Sequence, residues 1–266
     1  MPAPTAMNME MSPAKVQGIG DEGSRQRANH CEPEYMSLIP TDDNQIKSSR
    51  PTKIIVYFHG NAEDVGYSYE LLVKMSVTYK CSVLAVEYPG YGIYRTESAD
   101  AETLMINAQL VMQFLIEVQH YAEKDIILIG RSMGSGPACQ LAVQYPSISA
   151  LILLSPYTSL KQAVKTLLGT LASLIVRERF ENIKLIEKVR CPTLIIHGQA
   201  DEVIHESHAI ALHQNCGGPS KLIMPAGMTH NDCEMQKDLI KPIEQFFIES
   251  NVMPTITEGA IRTIKQ

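Results

Sequence analysis

The stretch Asp125–Gly136 (DIILIGRSMGSG) decides the fold of this 266-residue chain. It begins as an apolar run typical of a buried strand, continues into Gly-x-Ser-x-Gly and is followed by a helical pattern. A nucleophile at a sharp strand-to-helix turn has a strained backbone, and its neighbours two positions away must be small. Gly130 and Gly134 meet that requirement. The stretch therefore predicts a turn that presents Ser132 as a nucleophile.

Two other interpretations of this stretch are an ordinary Gly-Ser connection between strand and helix, and a loop that cradles a phosphate. The phosphate loop would require a Lys-Ser or Lys-Thr ending or the spacing of a dinucleotide fingerprint, and neither is present. The strand before the motif and the helix after it favour the nucleophile turn.

On both sides of this stretch, short apolar runs rich in Ile, Val and Leu alternate with longer segments of helical period. Continuously apolar runs are typical of strands covered on both faces. The sequence therefore predicts an α/β protein with a mostly parallel, twisted sheet and helices on both faces. The predicted strands are Lys53–Phe58, Cys81–Val86, Asp125–Ile129, Ala150–Leu154, Thr193–Ile196 and Lys221–Met224. The predicted helices are Ser68–Tyr79, Ala101–His120, Pro137–Gln144, His205–Asn215 and Glu234–Phe247.

The regions around these elements predict the domain organisation. Residues 1–30 are rich in Pro, Gly, Ser and charged residues and are expected to be a disordered tail. Residues 31–250 are expected to form the domain, and residues 251–266 are expected to be a C-terminal tail. Residues 156–190 contain two helical patterns where a crossover needs one, which predicts a small helical cap insertion. Its apolar part, residues 167–176, could shape an acyl-chain channel, face a partner or a membrane, or bury itself against the sheet.

Composition excludes several classes of protein. The net charge of −6 and the lack of any run of basic residues argue against nucleic-acid binding. No apolar stretch reaches the ~18 residues of a membrane span, and the N-terminal residues lack an apolar signal core. The six cysteines form no C-x-x-C pair, which is typical of free thiols in a reducing compartment. We expect a cytoplasmic protein, with peripheral membrane contact and oligomeric state left open.

A serine hydroxyl needs a base and a group that orients the base, and later loops provide both. Asp201 follows the predicted strand that ends at Ile196, and His230 follows the predicted strand that ends at Met224. The carboxyl ends of parallel strands meet at one edge of the sheet. The order Ser132, Asp201, His230 is also that of a known hydrolase architecture.

Other candidates for these roles are weaker. Glu202 and Asp232 are expected to be solvated or capping carboxylates. His197 comes directly after a strand and is expected to be a packed, hydrogen-bonded histidine. Three further histidines share part of one helical surface, but no carboxylates or cysteines surround them to complete a metal site. These three are His205, His208 and His213.

Acyl transfer also needs two N–H donors that point at the developing oxyanion. The residue after the nucleophile, Met133, is expected to provide one of them. The turn after the first strand, His59-Gly60-Asn61, is expected to provide the other from the backbone of Asn61.

With these residues in place, the sequence resembles the α/β-hydrolase superfamily over residues 53–247. It is most similar to the abhydrolase-domain branch that includes protein depalmitoylases. The shared stretches are Tyr57–Gly66, Glu87–Gly92, Leu154–Ser159, Ile196–Ile204 and His230–Asp232. The chain departs from this branch in having only Cys31 before the matching region, where depalmitoylases carry a lipidated cysteine cluster, and Thr229 where glycine is common.

The resemblance implies a serine hydrolase of esters or thioesters that uses no metal or organic cofactor. It assigns the triad to Ser132, Asp201 and His230 and the oxyanion donors to Asn61 and Met133. Resemblance to this branch also implies lipid-acyl or palmitoyl-protein substrates. The alternatives are a non-catalytic α/β-hydrolase-like protein that binds a ligand or partner, and a serine peptidase on the same fold.

Overall fold

A computed structural model describes residues 51–61, 63–94, 101–163 and 180–253. Within them, six strands form one sheet in the order β2-β1-β3-β4-β5-β6, and every neighbouring pair is parallel. The strands are β1 (Ile54–Phe58), β2 (Ser82–Val86), β3 (Ile126–Arg131), β4 (Ala150–Leu154), β5 (Thr193–Ile196) and β6 (Ser220–Ile223). All six predicted strands are confirmed.

Helices follow the strands in the order expected of crossover connections. They are α1 (Tyr69–Tyr79), α2 (Ala101–Gln113), α3 (Ser135–Gln144), α4 (Asn182–Ile186), α5 (Ser207–Gln214) and α6 (Lys241–Glu249). A π-helical turn, Phe114–Val118, extends α2, and another, Met235–Ile240, precedes α6.

The sheet separates two hydrophobic cores. Side chains along a strand alternate between the faces, so Val56 and Phe58 of β1 join the core under α2 and α3, while Ile55 and Tyr57 join the core under α1 and α6. All four are buried. Strands buried on both faces explain the continuously apolar runs, and the predicted fold class is confirmed.

Some predicted boundaries were wrong. The strand before the serine runs to Arg131 rather than Ile129, because its pairing with β4 continues as far as Arg131 opposite Leu154. The helix predicted over Glu234–Phe247 is a π-helical turn followed by α6. Pro242 lies at the change of helix type, where its missing N–H interrupts a continuous α-helical pattern.

Several predictions lie wholly or partly outside the described residues. These are the tail of residues 1–30, the C-terminal tail after residue 253, and residues 164–179 of the expected cap insertion. None of the helices that the structure describes combines the length and apolar character needed to span a membrane. The five cysteines in the described ranges are free thiols.

Close packing between β1 and the turn after β3 requires glycine at position 134. A Cβ built there would lie 2.2 Å from the carbonyl oxygen of Phe58 and 2.8 Å from that of His59. Both contacts are with backbone, which cannot swing away as a flexible side chain can. Even a methyl group would therefore force the turn away from β1.

We expect Gly134→Ala to lower the free energy of unfolding by about 1–3 kcal/mol, the usual cost of overpacking, as measured by urea denaturation. Gly227→Ala is the matched control, because a Cβ at Gly227 meets nothing within 4 Å, and it should change stability by less than about 0.5 kcal/mol. Equal stability of the two variants would contradict this account of the turn.

Candidate active site

Ser132 lies at the strand-to-helix turn between β3 and α3. Its backbone is left-handed, with φ of 49°, a conformation that non-glycine residues rarely adopt. A short 3-10 turn, Ser132–Gly134, leads directly into α3. Turns of this kind place a side chain at the carboxyl edge of the sheet, and the strain persists because the surrounding packing fixes the backbone.

Two buried polar side chains hold this turn. The Ser135 hydroxyl donates to the carbonyl oxygen of Ser132 at 2.6 Å. Asn182, buried at the start of α4, donates from Nδ2 to the Ser135 hydroxyl and to the carbonyl of Tyr157, both at 3.0 Å. The backbone of Ser132 is thus connected through the Ser135 hydroxyl to the Asn182 side chain, which also holds the carbonyl of Tyr157.

The structure brings the three predicted catalytic side chains together. His230 Nε2 lies 3.2 Å from the hydroxyl oxygen of Ser132, and His230 Nδ1 lies 2.8 Å from Oδ2 of Asp201. With its proton on Nδ1, the ring donates to the Asp201 carboxylate and accepts from the serine hydroxyl. All three residues are buried. This arrangement matches the geometry of a nucleophile, a base and a group that orients the base.

The backbone after β5 fixes the Asp201 carboxylate. Its Oδ1 accepts hydrogen bonds from the N–H groups of Val203 at 2.9 Å and Ile204 at 2.8 Å. Burial acts to raise the pKa of this carboxyl, but the hydrogen bonds from His230 and Ile204, together with nearby imidazole charge, outweigh it. The pKa of Asp201 therefore lies below its ordinary value, and the carboxylate is charged at neutral pH.

The residues weighed as rivals are either bonded to other groups or exposed to solvent. His197 is fully buried, its Nε2 donates to the Ile204 carbonyl at 2.7 Å, and burial lowers its pKa, which favours the neutral ring. Glu202 and Asp232 are exposed. His197 also lies 3.4 Å from Asp201 Oδ2, so it adds to the packing around the carboxylate.

Each of the three histidines in the α5 region has a hydroxyl group as a hydrogen-bonding partner. Burial lowers the pKa of His208 to about 4, and its Nδ1 accepts a hydrogen bond from the Thr158 N–H at 3.2 Å. In the part of the chain that the structure describes, no group of three or more His, Cys, Asp or Glu side chains is placed to hold a metal ion.

Tyr91 connects the two residues predicted as oxyanion donors. Its hydroxyl donates to the side-chain oxygen of Asn61 at 2.7 Å and lies 3.8 Å from the sulfur of Met133. Asn61 is exposed in the turn after β1, and Met133 is partly buried directly after Ser132. The structure therefore places both residues around one phenol at the carboxyl edge of the sheet.

The turn after β1 is anchored by a buried histidine. His59 contacts Glu87 through Nε2 at 3.0 Å, and its ring stacks on Tyr88 with centroids 4.0 Å apart. The other Glu87 oxygen accepts from the Val65 N–H at 3.2 Å. The sequence analysis did not assign roles to Glu87 or Tyr91, although both lie in the shared stretch Glu87–Gly92.

Sequence reasoning also missed an ion pair at the site. Arg131, directly before Ser132, pairs with Glu63 of the loop after β1, and its Nη2 donates to the carbonyl of His230 at 2.6 Å. The signal that could have indicated it is a charged residue at the end of an otherwise apolar strand. A charged residue at that position does not indicate which acidic residue it pairs with.

A cavity of about 380 Å³ adjoins His230 on the side of α1 and the π-helical turn before α6. Its lining combines apolar side chains such as Leu71 and Leu239 with polar ones such as Arg131 and Ser155. The Ser155 hydroxyl is buried and has no hydrogen-bond partner.

A parallel sheet with this strand-to-helix turn and these three side chains at its carboxyl edge is an α/β-hydrolase fold. A family model described as "Serine aminopeptidase, S33" matches residues 49–186, just over half of the chain, and the chain belongs to this family.

Curated relatives place the chain in the abhydrolase-domain branch. It is 30% identical over 194 residues to human alpha/beta hydrolase domain-containing protein 17B, an alignment that covers 72% of this chain and 65% of that protein. It is also 30% identical over 199 residues to mouse alpha/beta hydrolase domain-containing protein 17C, an alignment that covers 75% of this chain and 60% of that protein. The resemblance predicted from the sequence is confirmed. The chain spans less than two thirds of the length of either relative.

Solved structures share the fold. Est1E from Butyrivibrio proteoclasticus, solved with ferulic acid bound, superposes with a TM-score of 0.63 at 18% identity, covering 76% of this chain and 91% of that one. The acetyl xylan esterase from Paenibacillus sp. R4 gives a TM-score of 0.58 at 14% identity, covering 73% and 74%.

We expect the charged form of Asp201 to stabilise the fold. Its pKa is lower in the folded than in the unfolded protein, so this stabilisation is complete above the unfolded value of about 3.9 and is lost as the pH falls through the folded pKa. Denaturation of wild type and Asp201→Asn measures it. The difference in free energy of unfolding should be constant above about pH 5 and should shrink below about pH 4.

Direct titration provides the check on that expectation. The ¹³C chemical shift of the Asp201 carboxyl carbon should give a midpoint below about 3.9. A midpoint above that value, or a stability difference that grows as the pH falls, would contradict the assignment.

Proposed function

We propose that the protein is a serine hydrolase that cleaves carboxylic esters or thioesters through an acyl-enzyme intermediate. The observation that carries this proposal is the continuous hydrogen-bonded series from Ser132 through His230 to Asp201, at 3.2 and 2.8 Å. A protein that only binds a ligand on this fold has no need of such a series. Membership of a hydrolase family supports the same conclusion.

In the first step, His230 Nε2 takes the proton from the Ser132 hydroxyl as its oxygen attacks the acyl carbonyl carbon. Asp201 holds the ring in the tautomer that leaves Nε2 free to accept, and its charge stabilises the imidazolium that forms. The imidazolium then gives its proton to the leaving alkoxide or thiolate. Water deacylates the serine through the same groups, which restores the starting state.

The N–H groups of Asn61 and Met133 are proposed to stabilise the oxyanion of each tetrahedral intermediate. The hydrogen bond from Tyr91 to the Asn61 side chain supports this assignment, because it restrains the residue that would provide one donor. Each preorganised donor contributes roughly 3 kcal/mol of barrier lowering in other acyl-transfer enzymes.

The acyl group and the leaving group are proposed from relatives and sequence together. Structural neighbours include esterases and a monoacylglycerol lipase from Paleococcus ferrophilus. Lipid-acyl esters and acylated proteins are therefore the substrates that we propose, with the enzyme in the cytoplasm. Aminopeptidase activity is the second candidate, because the matching family is described by that activity.

Ser132→Ala should abolish covalent labelling by a fluorophosphonate probe and lower ester hydrolysis by about 10⁴-fold or more. His230→Ala should cause a loss of similar order, because the hydroxyl then has no base. Intact-mass measurement detects the adduct, and p-nitrophenyl butyrate hydrolysis gives the rate.

Ser155→Ala is the matched control for that experiment. Ser155 also follows a strand of the sheet and also has a left-handed backbone, with φ of 46°, but its hydroxyl has no hydrogen-bond partner. This variant should be labelled like wild type. Labelling that survives in Ser132→Ala but disappears in Ser155→Ala would overturn the assignment of the nucleophile.

A substrate panel separates the two candidate activities. We expect turnover of p-nitrophenyl esters from acetate to palmitate and of an acyl thioester, and no comparable turnover of amino-acid p-nitroanilides. Each activity counts only if Ser132→Ala removes it. Serine-dependent cleavage of the anilides alone would establish the aminopeptidase, and a preference for acetate alone would argue against lipid-acyl substrates.

A further inference from the structure

Arg131 is the residue between Gly130 and the nucleophile, and its guanidinium contacts two other loops of the site. Nη1 forms an ion pair with Oε1 of Glu63, in the loop after β1. Nη2 donates to the carbonyl oxygen of His230 at 2.6 Å and reaches the side-chain oxygen of Asn231 at 3.4 Å. One planar cation therefore bridges two chain segments that lie on either side of the nucleophile.

Glu63 continues this connection to the oxyanion side of the site. Its second carboxylate oxygen accepts from the N–H of Gly60 at 3.0 Å, and Gly60 is the residue before Asn61. The guanidinium also packs against this turn, because a Cβ at Gly60 would lie 2.9 Å from Nη1 of Arg131. Four groups thus form one series: the Gly60 N–H, the Glu63 carboxylate, the Arg131 guanidinium and the His230 carbonyl.

Burial makes the loss of either charge in this series costly. The side chains of Arg131 and Glu63 are 17% and 8% exposed, so each charge is largely removed from water. Removal of one partner would leave the other charge poorly solvated and uncompensated, which costs far more than loss of a surface ion pair. The planar fork of arginine also sets the angle between the two loops, which a lysine could not do.

We propose that Arg131 is a positioning residue of the hydrolase and that Glu63 acts with it. Together they hold the His230 loop and the turn before Asn61 at fixed positions relative to Ser132. This inference rests on the proposed function, because it concerns the same nucleophile and base. Arg131 acts through the two loops rather than on the substrate.

One of the two loops supplies the base and the other supplies an oxyanion donor. A shift of either loop therefore weakens the stabilisation of the transition state. A misplacement of about 1 Å can cost about 100-fold in rate. We therefore expect Arg131→Met to lower the second-order rate constant for fluorophosphonate labelling of Ser132 by about 100-fold. The kcat for p-nitrophenyl butyrate should fall by a similar factor, with little change in KM.

Lys53→Met is the matched control. Lys53 pairs with Asp125 at 3.4 Å and donates to the Lys124 carbonyl at 2.6 Å, so it ties the start of β1 to the start of β3. Arg131 and Glu63 tie together the opposite ends of the same two strands. Lys53→Met should lower the melting temperature but leave the labelling rate and kcat as in wild type.

The test also includes Glu63→Gln, a milder change that keeps the side-chain volume, and the double variant Arg131→Met/Glu63→Gln. We expect Glu63→Gln to slow labelling, and the double variant to lose no more than Arg131→Met alone, because both changes interrupt one series. Amide hydrogen exchange should be faster at residues 60, 61, 63 and 230–232 in these variants and unchanged there in Lys53→Met.

The outcomes separate this inference from the proposed function. If wild type is labelled at Ser132 and both single variants react at the rate of Lys53→Met, the positioning role is overturned and the hydrolase assignment stands. The positioning role would also be overturned if both single variants lost rate and the double variant lost the product of the two factors. The two residues would then act separately. If wild type is not labelled at all, the proposed function falls, and this inference falls with it.

Discussion

The Gly134 backbone lies against the carbonyl groups of Phe58 and His59, and this contact sets the distance between the turn at Ser132 and the loop after β1. The turn itself has a left-handed backbone at Ser132, which persists only because neighbours prevent relaxation. The candidate oxyanion donors are Met133, directly after Ser132, and Asn61, in the loop after β1. The distance between these two donors therefore depends on the absence of a side chain at Gly134.

The local patterns in the sequence were sufficient for the strands, the turn at Ser132 and the three side chains that meet there. Strand ends in a parallel sheet share an edge, so residues 98 positions apart, such as Ser132 and His230, could be placed together. The pairing of Arg131 with Glu63 could not be predicted, because side-chain partners from different loops have no characteristic spacing. Helix boundaries failed for a local reason, the missing N–H of Pro242.

Ser132 and Ser155 show that a strained backbone does not by itself place a serine hydroxyl beside an imidazole. Both follow strands of the same sheet and both have φ close to 50°. Only Ser132 receives an imidazole, because the loop after β6 carries His230 to it and the loop after β5 holds Asp201 behind the ring. The chemistry at this edge is thus set by where loops converge, while the strands provide equivalent starting points.

The hydrogen bonds of Asn182 and Ile183 have a consequence for how this scaffold can diversify. The Asn182 amide reaches the Tyr157 carbonyl at 3.0 Å, and the Ile183 N–H reaches the Thr158 carbonyl at 2.9 Å, so the start of α4 is hydrogen-bonded to the stretch that follows β4. These bonds and those of Ser135 lie next to the turn and fix it from the outside. Sequence changes elsewhere in the chain that keep these few contacts should therefore leave Ser132 in its place.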